Sequence, residues 1–128
     1  MTLNTPQKSS TTNDSPVAQA SLMRAAELKT SADKEQQALK RYLAFEEEHR
    51  ELRRAVLKAL QRLGRVGVSE TDHTLQIHTL GTLDVELEES AKNTRKALDE
   101  YEAIMKESLK REAETREVVR KLKEAAGR

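Results

Sequence analysis

Residues 50–89 read RELRRAVLKALQRLGRVGVSETDHTLQIHTLGTLDVELEE, and the fold turns on how this stretch is read. Its first third is helical in pattern: Leu52, Val56, Ala59/Leu60 and Leu63 recur at steps of three and four. Gly64-Arg65-Val66-Gly67 then sets two glycines where a helix C-cap and a chain reversal are wanted. Ser69-Glu70-Thr71-Asp72 offers a cap for a new helix, with Asp replacing the preferred Glu or Gln. Charge divides at the same place. Residues 50–65 hold Arg50, Arg53, Arg54, Lys58, Arg62 and Arg65 against Glu51, a balance of +5. Residues 70–89 hold Glu70, Asp72, Asp84, Glu86, Glu88 and Glu89 with no Lys or Arg, a balance of −6. A reversal at the glycines lays a basic flank alongside an acidic one. Such blocks set register and disfavour like-charge pairings, although each exposed pair is worth only ~0–1 kcal/mol.

Working outward toward the N-terminus, the helical pattern extends a long way. Neither Gly nor Pro occurs between Val17 and Leu63, and Ser15 followed by Pro16 supplies an N-cap and an N1 proline. A helix over 15–63 would run about 70 Å at ~1.5 Å per residue. Its apolar seam reads Ala25, Leu28, Ala32, Leu39, Tyr42, Phe45, Leu52, Val56, Ala59/Leu60 and Leu63, with Glu35 and His49 interrupting it. Residues 1–14 are rich in Ser, Thr, Asn and Pro without periodicity, and are expected to form a disordered polar tail.

Toward the C-terminus, residues 64–89 form a turn and an acidic connector, and 90–126 a second helix ended by Gly127. The seam of this helix reads Leu87, Ala91, Thr94, Leu98, Tyr101, Met105, Leu109, Ala113, Val119, Leu122 and Ala126. Between 74 and 87 two readings compete. Leu75, Ile77, Thr79, Leu83, Val85 and Leu87 alternate as in strands around Leu80-Gly81, a small β-hairpin. Ile77, Leu80, Asp84 and Leu87 instead fit an early start of the second helix. The fold class expected is all-α: a long antiparallel coiled-coil helical hairpin, with or without a β-hairpin near its tip.

Composition agrees. The chain has 128 residues, 35% charged, 36% hydrophobic and only 2% aromatic, with four Gly, two Pro, and neither Trp nor Cys. Bulky apolar side chains are too scarce for an enzyme-like interior, whereas Ala/Glu/Lys/Leu/Arg-rich sequences with few breakers form long helices. Lack of Cys excludes a disulfide framework and a thiolate zinc site. No run of ~18 apolar residues could span a bilayer. An intracellular protein, cytoplasmic or nuclear, is expected. The net charge of +1 gives no global reason to expect nucleic acid or membrane as partner.

The motifs of catalysis are missing. Four scattered glycines make no phosphate cradle. His49, His73 and His78 lack metal-ligand spacing, and a site needs at least three converging ligands. Glu46-Glu47-Glu48 reads as a solvated helix face, since paired catalytic carboxylates need a pocket that perturbs them. No enzyme, cofactor, metal or small-molecule substrate is expected.

What remains is association. A pair of helices leaves part of each seam wet, and further helices would cover it at ~25 cal/mol per Å². The expected interface is Leu39, Tyr42, Phe45, Leu52, Val56 and Leu60 on the first helix. On the second it is Leu87, Leu98, Tyr101, Met105, Leu109 and Leu122. The expected partners are other coiled-coil proteins or further copies of the chain, within a larger complex. The basic patch Arg50, Arg53, Arg54, Lys58, Arg62 and Arg65 also has the character of a helix that lies on membranes or tracks phosphates. Thr5-Pro6-Gln7-Lys8 fits a proline-directed kinase consensus, and Ser15-Pro16 is a second, weaker site.

Leu75-Gln76-Ile77-His78-Thr79-Leu80-Gly81-Thr82-Leu83-Asp84-Val85, set between two long helices, resembles the β-type prefoldin subunits. The resemblance implies a chaperone subunit whose hairpin joins a multi-subunit β-barrel. Helix tips near residues 16–25 and 115–126 would contact unfolded clients.

Overall fold

The computed structural model describes residues 15–65 and 69–127. They form two helices, α1 (Pro16–Leu63) and α2 (Glu70–Ala126), packed against each other as a helical hairpin. The expected tail over 1–14, Thr5 and Gly67 lie outside the described residues.

Local chemistry explains where each helix begins and ends. The Ala18 amide donates to Ser15 Oγ at 3.4 Å, so Ser15 is the N-cap, and Pro16 occupies the first helical position. At the other end of α1 the Gly64 amide closes the last turn onto the Leu60 carbonyl at 3.0 Å. Ser69 caps α2: its Oγ accepts from the Asp72 amide at 3.1 Å, and its carbonyl from the His73 amide at 2.9 Å. Asp72 and Glu70 lie in that first turn, where negative charge suits the positive end of the helix dipole.

This cap decides between the two readings of residues 74–87, in favour of the early start of the second helix and against the β-hairpin. The second helix starts at Glu70 rather than at 90, so most of the expected acidic connector is helix. Residues 74–87 are helical, not a β-hairpin, and the segment that carried the prefoldin resemblance holds no strand. The alternation misled because it counted Leu75, Ile77 and Val85, which are all exposed. The covered residues are His73, Gln76, Leu80, Leu83 and Leu87, at steps of three and four. The β-branched threonines are accommodated by back-bonding. Thr74, Thr79 and Thr82 hydroxyls donate to the carbonyls of Glu70, Leu75 and His78 at 3.1, 3.0 and 3.3 Å. Gly81 sits mid-helix at a cost of about 1 kcal/mol relative to Ala.

The chain divides into two units, each pairing a segment of α1 with a segment of α2. One combines residues 15–36 with 104–127; the other spans 37–103. In the 37–103 unit Phe45 meets Thr94 and Arg41 meets Glu100, so numbers rise along one helix as they fall along the other. In the other unit Arg24 meets Glu114 and Ser31 meets Ser108, in the same sense.

Candidate interaction surface

The 37–103 unit is held by a thin seam. Ala38, Ala59 and Ala97 are buried, the last two only 4% and 3% exposed. Tyr42 and Tyr101 stack between them, while Leu39, Phe45, Leu52, Val56, Leu63, Leu87 and Leu98 are half-buried. Thr94 Oγ1 contacts the Phe45 carbonyl at 3.2 Å across the pair and the Ser90 carbonyl at 2.8 Å within its own helix. Ser90 itself is buried. Its Oγ and His49 Nδ1 have no hydrogen-bond partner among the described residues.

The seam on α1 therefore steps Ala38, Tyr42, Phe45, His49, Leu52, Val56, Ala59, Leu63, without a break at His49. Leu60, expected at the interface with further helices, is 51% exposed in the single chain, and Ala59 takes the covered position beside it.

Tyr42 and Glu46 perturb each other. Hydrogen bonding to the Glu46 carboxylate, then partial burial, pushes the Tyr42 hydroxyl above the usual tyrosine range. Hydrogen bonding to Tyr42, reinforced by the Arg50 guanidinium, holds Glu46 below the usual carboxylate range despite its desolvation.

In the other unit the seam is polar. Ser31 is buried, and its Oγ lies 3.2 Å from Ser108 Oγ, which donates to Glu35 Oε2 at 3.0 Å. Arg24 reaches Glu27 and Glu114 at 3.3 and 3.5 Å, and Arg111 reaches Glu27 at 3.8 Å. Ile104, Met105 and Val118 are half-buried. Leu109 and Leu122, both expected at the interface with further helices, are 57% and 39% exposed in the single chain, where the half-buried positions are Ser108, Arg111, Thr115 and Val118. Ser15, a candidate phosphorylation site, serves as the N-cap.

The two charge blocks do not pair. Arg50 bonds to Glu46 and Glu47 of its own helix, and Glu88 to Lys92 of its own. Among the described residues no ion pair joins the 50–65 block to the 70–89 block. The cross-helix pair of this unit is Arg41–Glu100, at 3.2 Å. Arg53, Arg54, Lys58, Arg62 and Arg65 are exposed, as are Glu70, Asp72, Asp84, Glu86 and Glu89.

Apolar side chains are left uncovered in the same region: Leu57, Leu60 and Ile77 are 55%, 51% and 59% exposed. No large side chain is fully buried among the described residues. Among these residues no group of three His, Asp or Glu could hold a metal ion, and no helix is long and apolar enough to cross a membrane. The chain matches no protein-family model, no curated protein and no solved structure.

Proposed function

We propose that the chain is a non-enzymatic interaction subunit: an antiparallel coiled-coil hairpin that completes its core with further helices, from copies of itself or from other helical proteins. The observation that carries this reading is the mismatch between the two sides of its helices. The covered side is made of Ala, Ser and half-buried residues, while Leu57, Leu60, Ile77 and Leu109 face solvent. Apolar area left wet on a helix pair is recovered at ~25 cal/mol per Å² when another helix pair packs on it. A scaffolding or spacing role in a larger complex follows from apolar residues exposed along both helices.

Sedimentation equilibrium of the full chain, together with cross-linking and mass spectrometry of the native assembly, tests it. Expected are defined assemblies of more than one helical hairpin, with stability that rises with concentration. A single copy that melts cooperatively and stays monomeric at high concentration, with no stable partner in the native extract, would overturn it.

A further inference from the structure

Resting on that reading, we infer that one face of the 37–103 unit is a self-complementary interface for a second copy of this chain, with Arg53 of each copy meeting Asp84 of the other. The face can be located from the contacts already described. Arg41 and Glu100 each immediately precede a seam tyrosine, and their ion pair marks one side of the helix pair. Residues that immediately follow the alternate seam positions lie on the opposite side. On α1 these are Arg53, after Leu52, and Leu60, after Ala59. On α2 they are Ile77, after Gln76, and Asp84, after Leu83. Leu57 lies between Arg53 and Leu60 at helical spacing, and Gly81 lies between Ile77 and Asp84.

Register then matches the two rows. Equal steps along the helices from the Phe45–Thr94 contact bring Arg53 level with Asp84, to within about half a turn. The same steps bring Leu57 level with Gly81 and Leu60 level with Ile77. The face therefore carries a cation, a large and a large side chain down one helix. Beside them, down the other, run an anion, a glycine and a large side chain.

A two-fold axis lying between two such faces, parallel to the helices, sets α1 of one copy over α2 of the other at the same level. Every contact is then made twice. Arg53 faces Asp84, Leu57 faces the flat spot at Gly81, and Leu60 faces Ile77. Among the described residues of one chain neither charge is in an ion pair, and the two blocks to which they belong have opposite sign. Gly81 points the same way. A Cβ placed there would meet nothing within 4 Å in the single chain, so a helix-weakening residue has no intramolecular reason to be present. A glycine opposite Leu57 of a second copy supplies one, since it lets the two helices close onto that side chain.

Charge exchange in the full chain tests this, with sedimentation velocity as readout and circular dichroism checking that each variant keeps its helices. Two single variants, R53E and D84K, each turn both symmetric contacts into like-charge contacts. Each is expected to weaken self-association by ~100-fold or more. An equimolar mixture of R53E and D84K restores opposite charges at both contacts, and is expected to recover the wild-type assembly as a mixed species. An intramolecular Arg53–Asp84 contact predicts no recovery on mixing. G81L, which fills the flat spot on an otherwise open helix face, is expected to raise helicity and lose association together. If the wild type self-associates but R53E, D84K and G81L do so equally well, this face is not the interface, and the broader assembly reading survives. If single variants dissociate and the mixture fails to recover, the proposed two-fold arrangement is overturned. A wild type that is monomeric throughout overturns the interface whether or not other helical partners exist.

Discussion

Tyr42 and Tyr101 lie face to face across the helix pair, ring centroids 6.5 Å apart and planes within 5° of parallel. Two of the chain's three aromatic residues thus meet, and each follows a buried alanine of its helix, Ala38 or Ala97. Replacing each by Ala, singly and together, should give a coupling of about 0.5–1.5 kcal/mol beyond lost area. Urea denaturation of the four proteins in the cycle measures it, and strictly additive losses would contradict a direct contact.

Glu46 links that stack to pH. Its carboxyl is held below the usual glutamate range by hydrogen bonding to Tyr42 and by Arg50, so its ionised form is favoured in the folded state. Its contribution is present above the usual glutamate range and is lost as pH falls through the depressed value. Tyr42 runs the other way: its hydroxyl is raised by the same bond, so its contribution holds below the usual tyrosine range and is lost as pH rises through the raised value. Glu46→Gln should flatten the acid limb of the melting profile and return Tyr42 toward ordinary tyrosine titration. Tyrosinate absorbance in a Tyr101→Phe background reads the second effect.

Ser90 is 5% exposed and its hydroxyl is unpartnered among the described residues. A buried hydroxyl without a hydrogen bond costs stability, and Ala is the better helix former. Ser90→Ala should therefore stabilise the chain by about 1–2 kcal/mol in denaturant titration. A loss of stability would show that the hydroxyl is bonded in solution.

Ser108 ties Ser31 to Glu35 through contacts of 3.2 and 3.0 Å. Ser108→Ala should cost about 1 kcal/mol by leaving the Glu35 carboxylate short of a donor at a partly covered position. Pairing it with Glu35→Leu and Ser31→Ala removes all three polar partners and should recover that loss or exceed it. Thermal melts of the two variants separate the outcomes.

Ala59 and Leu60 are neighbours in sequence with opposite tolerances. Ala59→Leu forces a large side chain into the close approach of the helices and should cost about 1–3 kcal/mol. Leu60→Ala, measured in solution dilute enough to suppress association, should change stability by no more than about 0.5 kcal/mol. The reverse order would mean that the covered face is assigned one residue off.

The seam shows how much was legible and where it stopped. Apolar spacing located Tyr42, Phe45, Leu52, Val56 and Leu87, all half-buried, with Tyr42 stacked on Tyr101 of the opposite helix. Glu35 and His49 look like interruptions to a reading that counts hydrophobicity, yet both continue the three-four spacing at half-covered positions. Carrying that spacing through the polar residues would have found Ser31, Ala38, Ser90, Ala97 and Ser108 as well. On α2 the reading stepped off by one position at Leu109, which is more apolar than the half-buried Ser108 beside it.

By itself the sequence determined the helical hairpin: breaker-free stretches, Ser15-Pro16, Gly64 and Ser69 fix helix starts and stops through local backbone chemistry. Which face of each helix turns inward was decided only in the folded chain. Close packing of two long helices rewards small side chains and a shared register over hydrophobicity at any single position. That preference buried Ala59 and Ser90 and left Leu60 and Leu109 in water.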